Sequence, residues 1–533
     1  MTSRLILPPR FSRRTVVAGA MAGGSAALLG IGARASGLPA ADPFTLGVAS
    51  GEPVPDGMVL WTRLAPEPLA ADGGMPARAV PVRWEVADDD RFVRIIRSGE
   101  ARAEPEWGHC VHVEVSGLKP GRPYFYRFQA AGHVSATGRT RTAPAPGDRV
   151  DRLRFAYGSC QKYEAGFYAA YRHMVAEEPD LILFLGDYIY EGNPDSGPQV
   201  VRQHLNREPM DIAGYRIRYA TYRRDPLLQA AHAAAPWAVI WDDHEVANDY
   251  AADIDQRNSD PAVFLQRRAA AYHVYWEHMP LRRSARPDGA AMRLYRSLAW
   301  GDLAQFQLVD DRQYRSPRAC QPAEARVRGK KYQGAILDCP ERSDPRQSIL
   351  GFEQEAWLRG AFDRSRATWN LLAQQTLMTQ IARIDAEHPD LGPRYYAADK
   401  WEGYAASRTR IQRHWRDAGT ANPLVLSGDI HCFVAADMPD PDRPDAPPVA
   451  SEFVGGSITS LSHDLMLKAN MAANRGFRFG EHLVRGYGSG VLTQQGCDIA
   501  FRGLADARDP DSAIRTIAAF HVEPGVRGMH VTA

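Results

Sequence analysis

Cys160, Asp187, Tyr190, Asp243, His244, Asn248, Asp429 and His431 are cation-binding or proton-transferring residue types, and each stands at or just past the end of a short apolar run. The runs finish as FAYGSC (155–160), LILFLGDYIY (181–190), AVIWDDHEVAND (238–249) and LVLSGDIH (424–431). A carboxylate such as Asp187 can bridge two cations, and a Tyr190 phenolate is a hard oxygen suited to Fe(III). A thiolate such as Cys160 would be deprotonated by the same ion. The mixture of carboxylate, amide and imidazole around Asp243, Asn248, Asp429 and His431 favours a hard or borderline divalent ion at a second position. Two adjacent cations can bind a phosphoryl oxygen, generate hydroxide at neutral pH and stabilise an in-line displacement. His244, between Asp243 and Glu245, is the natural partner for the phosphoryl oxygens or the leaving group. His244 and Asp187 are therefore the catalytic candidates. Any one of these residues alone is ordinarily structural, an Asp as a helix cap and a His as a bonded core residue; the pattern across four strand ends is what points to a dinuclear hydrolase site.

Those side chains need elements that bring them together. Apolar runs of four or five residues bounded by turn formers read as strands buried on both faces. In open layered sheets the carboxyl ends of such strands converge on one crevice. From about residue 150 the strands alternate with helical spacing, as in Phe167, Tyr171, Met174 and Val175. The fold class expected is α/β, a layered core with helices flanking a central sheet. Before it, Met58–Trp61, Val80–Val86, Cys110–Val115 and Tyr124–Ala130 alternate apolar and polar residues between turn signals, an all-β pattern. The sequence Leu118-Lys119-Pro120-Gly121-Arg122-Pro123-Tyr124 has the form of a tyrosine corner, a mark of immunoglobulin- and fibronectin-like sandwiches. Residues 36–145 are thus expected to form a β-sandwich domain and residues 146–533 the metal-bearing domain.

The chain has 533 residues and a formal net charge of +1, with acidic and basic residues mixed along its length. That balance gives no nucleic-acid footprint and no polybasic membrane surface. Arg13 and Arg14 precede a Gly- and Ala-rich apolar stretch, and Ala33-Arg34-Ala35 supplies a cleavage site. Residues 1–35 therefore read as a twin-arginine signal peptide, with a folded, exported protein, periplasmic or secreted, and no integral membrane segment in the mature chain. Of the six cysteines, Cys320 and Cys339 flank a polar loop and are the best disulfide candidates in an oxidising compartment. Cys110, Cys432 and Cys497 read as small buried hydrophobes.

The chain resembles the PhoD family of alkaline phosphatases, a branch of the calcineurin-like metallophosphoesterases. The resemblance rests on FTLGVASGEP and VLWTRL near the amino terminus, then GSC, GDYIYE, WDDHE, DDRQYR, LAQQT, DKWEGYAASR, SGDIH and EFVGGSITS in order. It implies a site with Fe(3+) and Ca(2+), hydrolysing phosphate monoesters and some diesters at alkaline pH by in-line attack of a metal-bound hydroxide, in the service of phosphate acquisition. Cys160, Asp187, Tyr190 and His431 would hold the iron, Asp187 would bridge to calcium, and Asp243, Asn248 and Asp429 would complete the set. Cys160 stands where the wider superfamily has a D-x-H motif, and Asp243 where it has Asn. Asn248 and Asp249 both remain open as ligands. Arg312, Asp399 and Arg408 could shape a phosphate pocket or simply support the fold as salt bridges. The partners implied are small phosphate esters and the twin-arginine export machinery, for a monomeric enzyme. Two other readings remain: a phosphodiesterase or phospholipase D-like hydrolase, and a non-catalytic binding protein for phosphate ligands.

Overall fold

The computed structural model of the protein describes residues 41–462 and 466–533. The twin-arginine segment expected over residues 1–35 lies outside them. The fold is mixed α/β, with several sheets and few helices.

Three of the four expected strands lie side by side. Arg152–Gly158, Leu181–Leu185 and Pro236–Ile240 pair in parallel, with Leu183 opposite Tyr157 on one side and Ala238 on the other. All five residues of LILFL are buried, as a strand covered on both faces requires. Right-handed parallel pairing needs crossovers, and helices Ala169–Ala176, Ile212–Arg223 and Pro226–Ala234 supply them. Asp211 and Asp225 cap the last two, their carboxylates accepting the Gly214 amide and the Leu227 and Leu228 amides.

The fourth strand, Pro423–Ser427, belongs to a different sheet. Instead of one central sheet, the core has a ten-stranded sheet holding the first three strands and a seven-stranded sheet holding the fourth. Pro423–Ser427 sits between Trp369–Ala373 and Ala450–Gly455, parallel to both. The sheets share one apolar core, in which Phe155 meets Phe306 at 5.9 Å, Phe433 meets Phe501 at 5.2 Å and Phe453 meets Phe520 at 5.6 Å. The physical reason is the quantity of apolar surface: strands apolar on both faces need a covering layer on each, and here one of those layers is a second sheet.

The amino-terminal strands divide between sheets as well. Val48–Val54 pairs in parallel with Pro236–Ile240, so Val48–Val54, Gly57–Arg63 and Cys110–Val115 extend the ten-stranded sheet. Val80–Ala87, Ile95–Ala103, Pro123–Ala130, His133–Val134 and Gly138–Arg141 form a sheet of their own. At its corner the Tyr124 hydroxyl accepts the Lys119 amide at 3.0 Å, the bond a tyrosine corner makes. Cys320 and Cys339 are joined by a disulfide, and Cys110, Cys432 and Cys497 are buried. Among the described residues no helix is long and apolar enough to cross a membrane.

Candidate metal centre

The strand ends meet because two glycines let the turns touch. A Cβ on Gly186 would stand 2.4 Å from the Asp242 side chain, and one on Gly428 would stand 2.2 Å from Ser159 Oγ. The first contact joins the GD turn to WDDHE; the second joins SGDIH to GSC across the two sheets. The ligand candidates themselves take the left-handed backbone region: φ is 58° at Cys160, 58° at Asp187, 61° at Asp429 and 53° at His431. Non-glycine residues held there cost free energy that the surrounding structure must offset, a pattern that clusters at functional sites.

Two overlapping sets of donors result. Cys160, Asp187 and His431 offer ligand atoms within 4.8 Å of one another, and so do Asp187, Asp243 and His244. Asp187 is common to both. Its Oδ2 accepts the Tyr190 hydroxyl at 2.7 Å, whereas Oδ1 is buried with no partner. The Tyr190 oxygen lies 3.0 Å from His431 Nε2, and His431 Nδ1 donates to the Leu461 carbonyl at 2.8 Å, which leaves Nε2 as the ring's acceptor atom. Tyr190 thus belongs with the first set.

The electrostatics suit a cation. Burial and the Asp187 charge drive the Cys160 thiol and the Tyr190 phenol well above their ordinary pKa values. Burial alone would raise Asp187 too, but His244 and His431 bring it down to about 2. An anionic carboxylate with an unpartnered oxygen, flanked by a thiol, a phenol and an imidazole, is a donor set a metal ion fits; a bound ion would also reverse the thiol and phenol shifts. The donors present therefore fit the metals that the resemblance implies.

The other expected residues fall into place around this centre. Asp243 is in the second set, and its Oδ1 lies 3.5 Å from Arg312. His244 Nδ1 is 2.6 Å from Glu191 Oε2, which leaves Nε2 to face the site. Burial opposes the charge on His244, yet Glu191, Asp187 and Asp243 hold its pKa well above the usual value. The Asn248 amide donates to Glu191 Oε1 at 2.7 Å, and Asn248 lines a cavity of about 410 Å³ together with His244, Tyr190, His431, Ser460 and Lys162. Asp249 is turned to the Tyr332 hydroxyl and to Gln256 Nε2 at 3.0 Å. Asp429 is in neither donor set; its Oδ2 accepts the Thr376 hydroxyl at 2.6 Å and pairs with Lys400. Of the motif residues left open, Arg312 is fully buried among Asp242, Asp243, Asp311 and Asp399, and Arg408 bonds Gln380 instead.

Four supporting residues escape the sequence reading. Glu191 orients His244 and could have been found as the last residue of GDYIYE. Glu245 accepts the amides of Asp187 at 3.1 Å and Asp242 at 2.8 Å, fixing two strand ends to each other. Ser460 Oγ lies 2.7 Å from the Tyr190 oxygen and 2.8 Å from the Cys160 carbonyl. Lys400 neutralises Asp429, with only its place in DKWEG as a signal.

Comparison with known proteins shows the family. The sequence model of the PhoD-like phosphatase family matches residues 155–499, and that of the PhoD-like phosphatase N-terminal domain matches residues 32–144. Alkaline phosphatase D of Bacillus subtilis (strain 168) is 41% identical over 495 residues, covering 91% of this chain and 82% of that protein. A solved structure described as the structure of PhoD superposes with a TM-score of 0.86 at 40% identity, over 93% of each chain. The chain belongs to the PhoD-like phosphatase family.

Proposed function

We propose that the protein is an exported, metal-dependent alkaline phosphatase that hydrolyses phosphate monoesters and some diesters, with iron and calcium as its metals. The observation that carries this reading is the pair of donor sets sharing Asp187, one offering thiol, phenol and imidazole and the other a second carboxylate and imidazole. The first set, Cys160, Asp187, Tyr190 and His431, offers the hard anionic oxygens of Asp187 and Tyr190 and a thiolate, a combination that suits Fe(III). Asp187 and Asp243, with Asn248 close by in sequence and Asp429 on the SGDIH turn, would hold the calcium. When bound, the ions supply positive charge to a phosphoryl group and lower the pKa of water. Export by the twin-arginine route rests on Arg13 and Arg14 ahead of their apolar run.

The chain's own residues account for the rest. His244, its Nδ1 held by Glu191, is oriented so that Nε2 can carry a proton at the phosphoryl oxygens or the leaving group. Lys162 lines the same cavity, within 2.5 Å of Asp195, and adds a cation for an anionic substrate. Tyr190 and Asp187 themselves are buried.

The test is a paired rate assay on the mature protein with p-nitrophenyl phosphate and bis-p-nitrophenyl phosphate at alkaline pH, with and without prior chelation. Chelator-sensitive hydrolysis of the monoester is expected, and the ratio of the two rates measures how far diesters are accepted. Asp187→Asn is expected to abolish turnover while circular dichroism stays that of the native protein; full activity in that variant would remove the proposed site. An iron-loaded enzyme should also show a visible band from the Tyr190 phenolate that Tyr190→Phe eliminates. An active enzyme that is colourless and free of iron refutes the iron assignment.

A further inference from the structure

The Cys320–Cys339 disulfide ties off a loop that walls a second cavity, of about 330 Å³, lined by none of the metal candidates. Asn258 braces the loop, its Nδ2 donating to the Ala325 and Lys330 carbonyls at 2.6 Å each. Arg318 enters the cavity immediately before the loop. It is 8% exposed, and its Nε and Nη2 meet no acceptor among the described residues. The guanidinium lies 3.9 Å over the Tyr332 ring, which fixes its plane and satisfies none of its N–H groups. The neighbouring carboxylates are committed elsewhere. Glu341, in the same cavity, accepts the Cys320 amide at 2.7 Å and pairs with Arg326 at 3.3 Å. Asp399 lies 3.8 Å from Arg312. Gln347 Oε1, on the cavity wall, is buried and unpartnered too.

Buried guanidinium N–H groups without acceptors are unfavourable, and their fork matches the oxygens of a phosphoryl group. We propose that this cavity binds a phosphoanion on Arg318: either free phosphate or the second phosphoryl group of a substrate that carries two. The requirement for an anion comes from Arg318 itself; the choice of phosphate rests on the phosphatase reading. The site is wired to the metal candidates. The Tyr332 hydroxyl, under the guanidinium, donates to Asp249, and the Asp249 amide donates to Asp243 Oδ2.

Isothermal titration of the metal-replete mature protein with inorganic phosphate counts the sites, with sodium chloride at matched ionic strength as the control. Wild type is expected to take up two phosphates, and Arg318→Met one. Gln347→Glu, which sets a carboxylate in the same cavity, should also take up one and leave the guanidinium balanced and the protein folded. A single site in wild type, two sites in both variants, or equal heats with chloride would overturn the proposal. Michaelis constants then separate the sources. If the site holds part of a substrate, Arg318→Met raises KM about tenfold for an alkanediol bisphosphate and leaves phenyl phosphate within about twofold. If it holds free phosphate, both constants stay put while the second binding event still disappears. A wild type that hydrolyses no ester but shows the Arg318-dependent site would sink the phosphatase reading and leave this one standing.

Discussion

Arg485 touches no candidate metal ligand side chain, yet it braces the backbone of one candidate and of a residue that bonds another. It is 5% exposed, and its Nη1 donates to the His431 carbonyl at 2.9 Å and to the Ser460 carbonyl at 2.5 Å. Through Ser460 it reaches the Tyr190 oxygen, so one guanidinium holds the imidazole and the phenol of the same donor set in register. Outer groups of this kind typically alter metal affinity or activity by about 10- to 100-fold when removed. Arg485→Met is expected to lower kcat by that order and to shift or weaken the Tyr190-to-iron band, and Arg485→Lys to restore part of both. A loss of thermal stability with an unchanged band would mean that Arg485 is only structural. Nothing in the sequence marks this residue, because its partners lie 25 and 54 positions away and it stands in no motif. The ligand candidates were legible for the opposite reason: each ends an apolar run, and four such runs ending in metal-binding residue types form a pattern that single structural roles do not explain. Asp429 was legible as a candidate by type and position, whereas the Lys400 on its carboxylate shows only in the three-dimensional neighbourhood.

At the scale of elements, His112 fastens the strand Cys110–Val115 to the end of the helix Pro261–His278. Its ring stacks on Trp276 at 3.9 Å, and Nε2 donates to the Met279 carbonyl at 2.9 Å. Burial lowers its pKa from 6.5 to about 4, outweighing the opposing hydrogen bonds. The folded state therefore favours the neutral ring. Above pH 6.5 the ring is neutral in both states and its contribution is complete. As pH falls from 6.5 toward 4 the unfolded chain takes up the proton first, and stability is lost, by about 3 kcal/mol at the acid end. His112→Gln is expected to flatten the fall of Tm between those two pH values; curves that run parallel to wild type would exclude His112 as the cause. The element itself was readable, since Cys110–Val115 alternates in a way only a strand explains, and so were the four strands that carry the site. Their partition was not. A strand buried on both faces looks the same whichever sheet it joins, and periodicity cannot say that Leu424–Ser427 lies across from Phe155–Gly158 rather than beside it.

That partition gives the metals a structural role at the scale of the whole molecule. Cys160, Asp187 and Asp243 hang from the ten-stranded sheet, and His431 from the seven-stranded one. Beyond the apolar core, polar ties join the sheets at this end: the Tyr190 oxygen to His431, Ser460 to the Cys160 carbonyl, Arg312 to Asp242, Gln375 Nε2 to the Trp241 carbonyl, and the Gly428 turn against Ser159. An ion held by Cys160, Asp187 and His431 would cross-link the two sheets where all three of these residues are strained into positive φ. Removing it would leave Asp187 with an unpartnered buried oxygen facing Asp243 and a thiol and phenol returned to their neutral forms, so both the cross-link and the compensation for strain would go together. Because ligands that bind only the folded state stabilise it by mass action, chelation is expected to lower Tm by several degrees, about 2–4 kcal/mol of stability, and re-addition of metal to restore it. Hydrogen exchange should locate the loss, with amides in residues 158–161, 186–190 and 428–431 exchanging faster after chelation, while Leu181–Leu185 and Pro423–Ser427 keep their protection inside the shared core. His431→Ala, which removes the one ligand in the first donor set that comes from the second sheet, should mimic chelation in both measurements and make the protein insensitive to further chelator. Unchanged exchange at residues 428–431 after complete metal removal would mean that the apolar core and the polar ties hold the sheets together without an ion, and that the metals serve chemistry only.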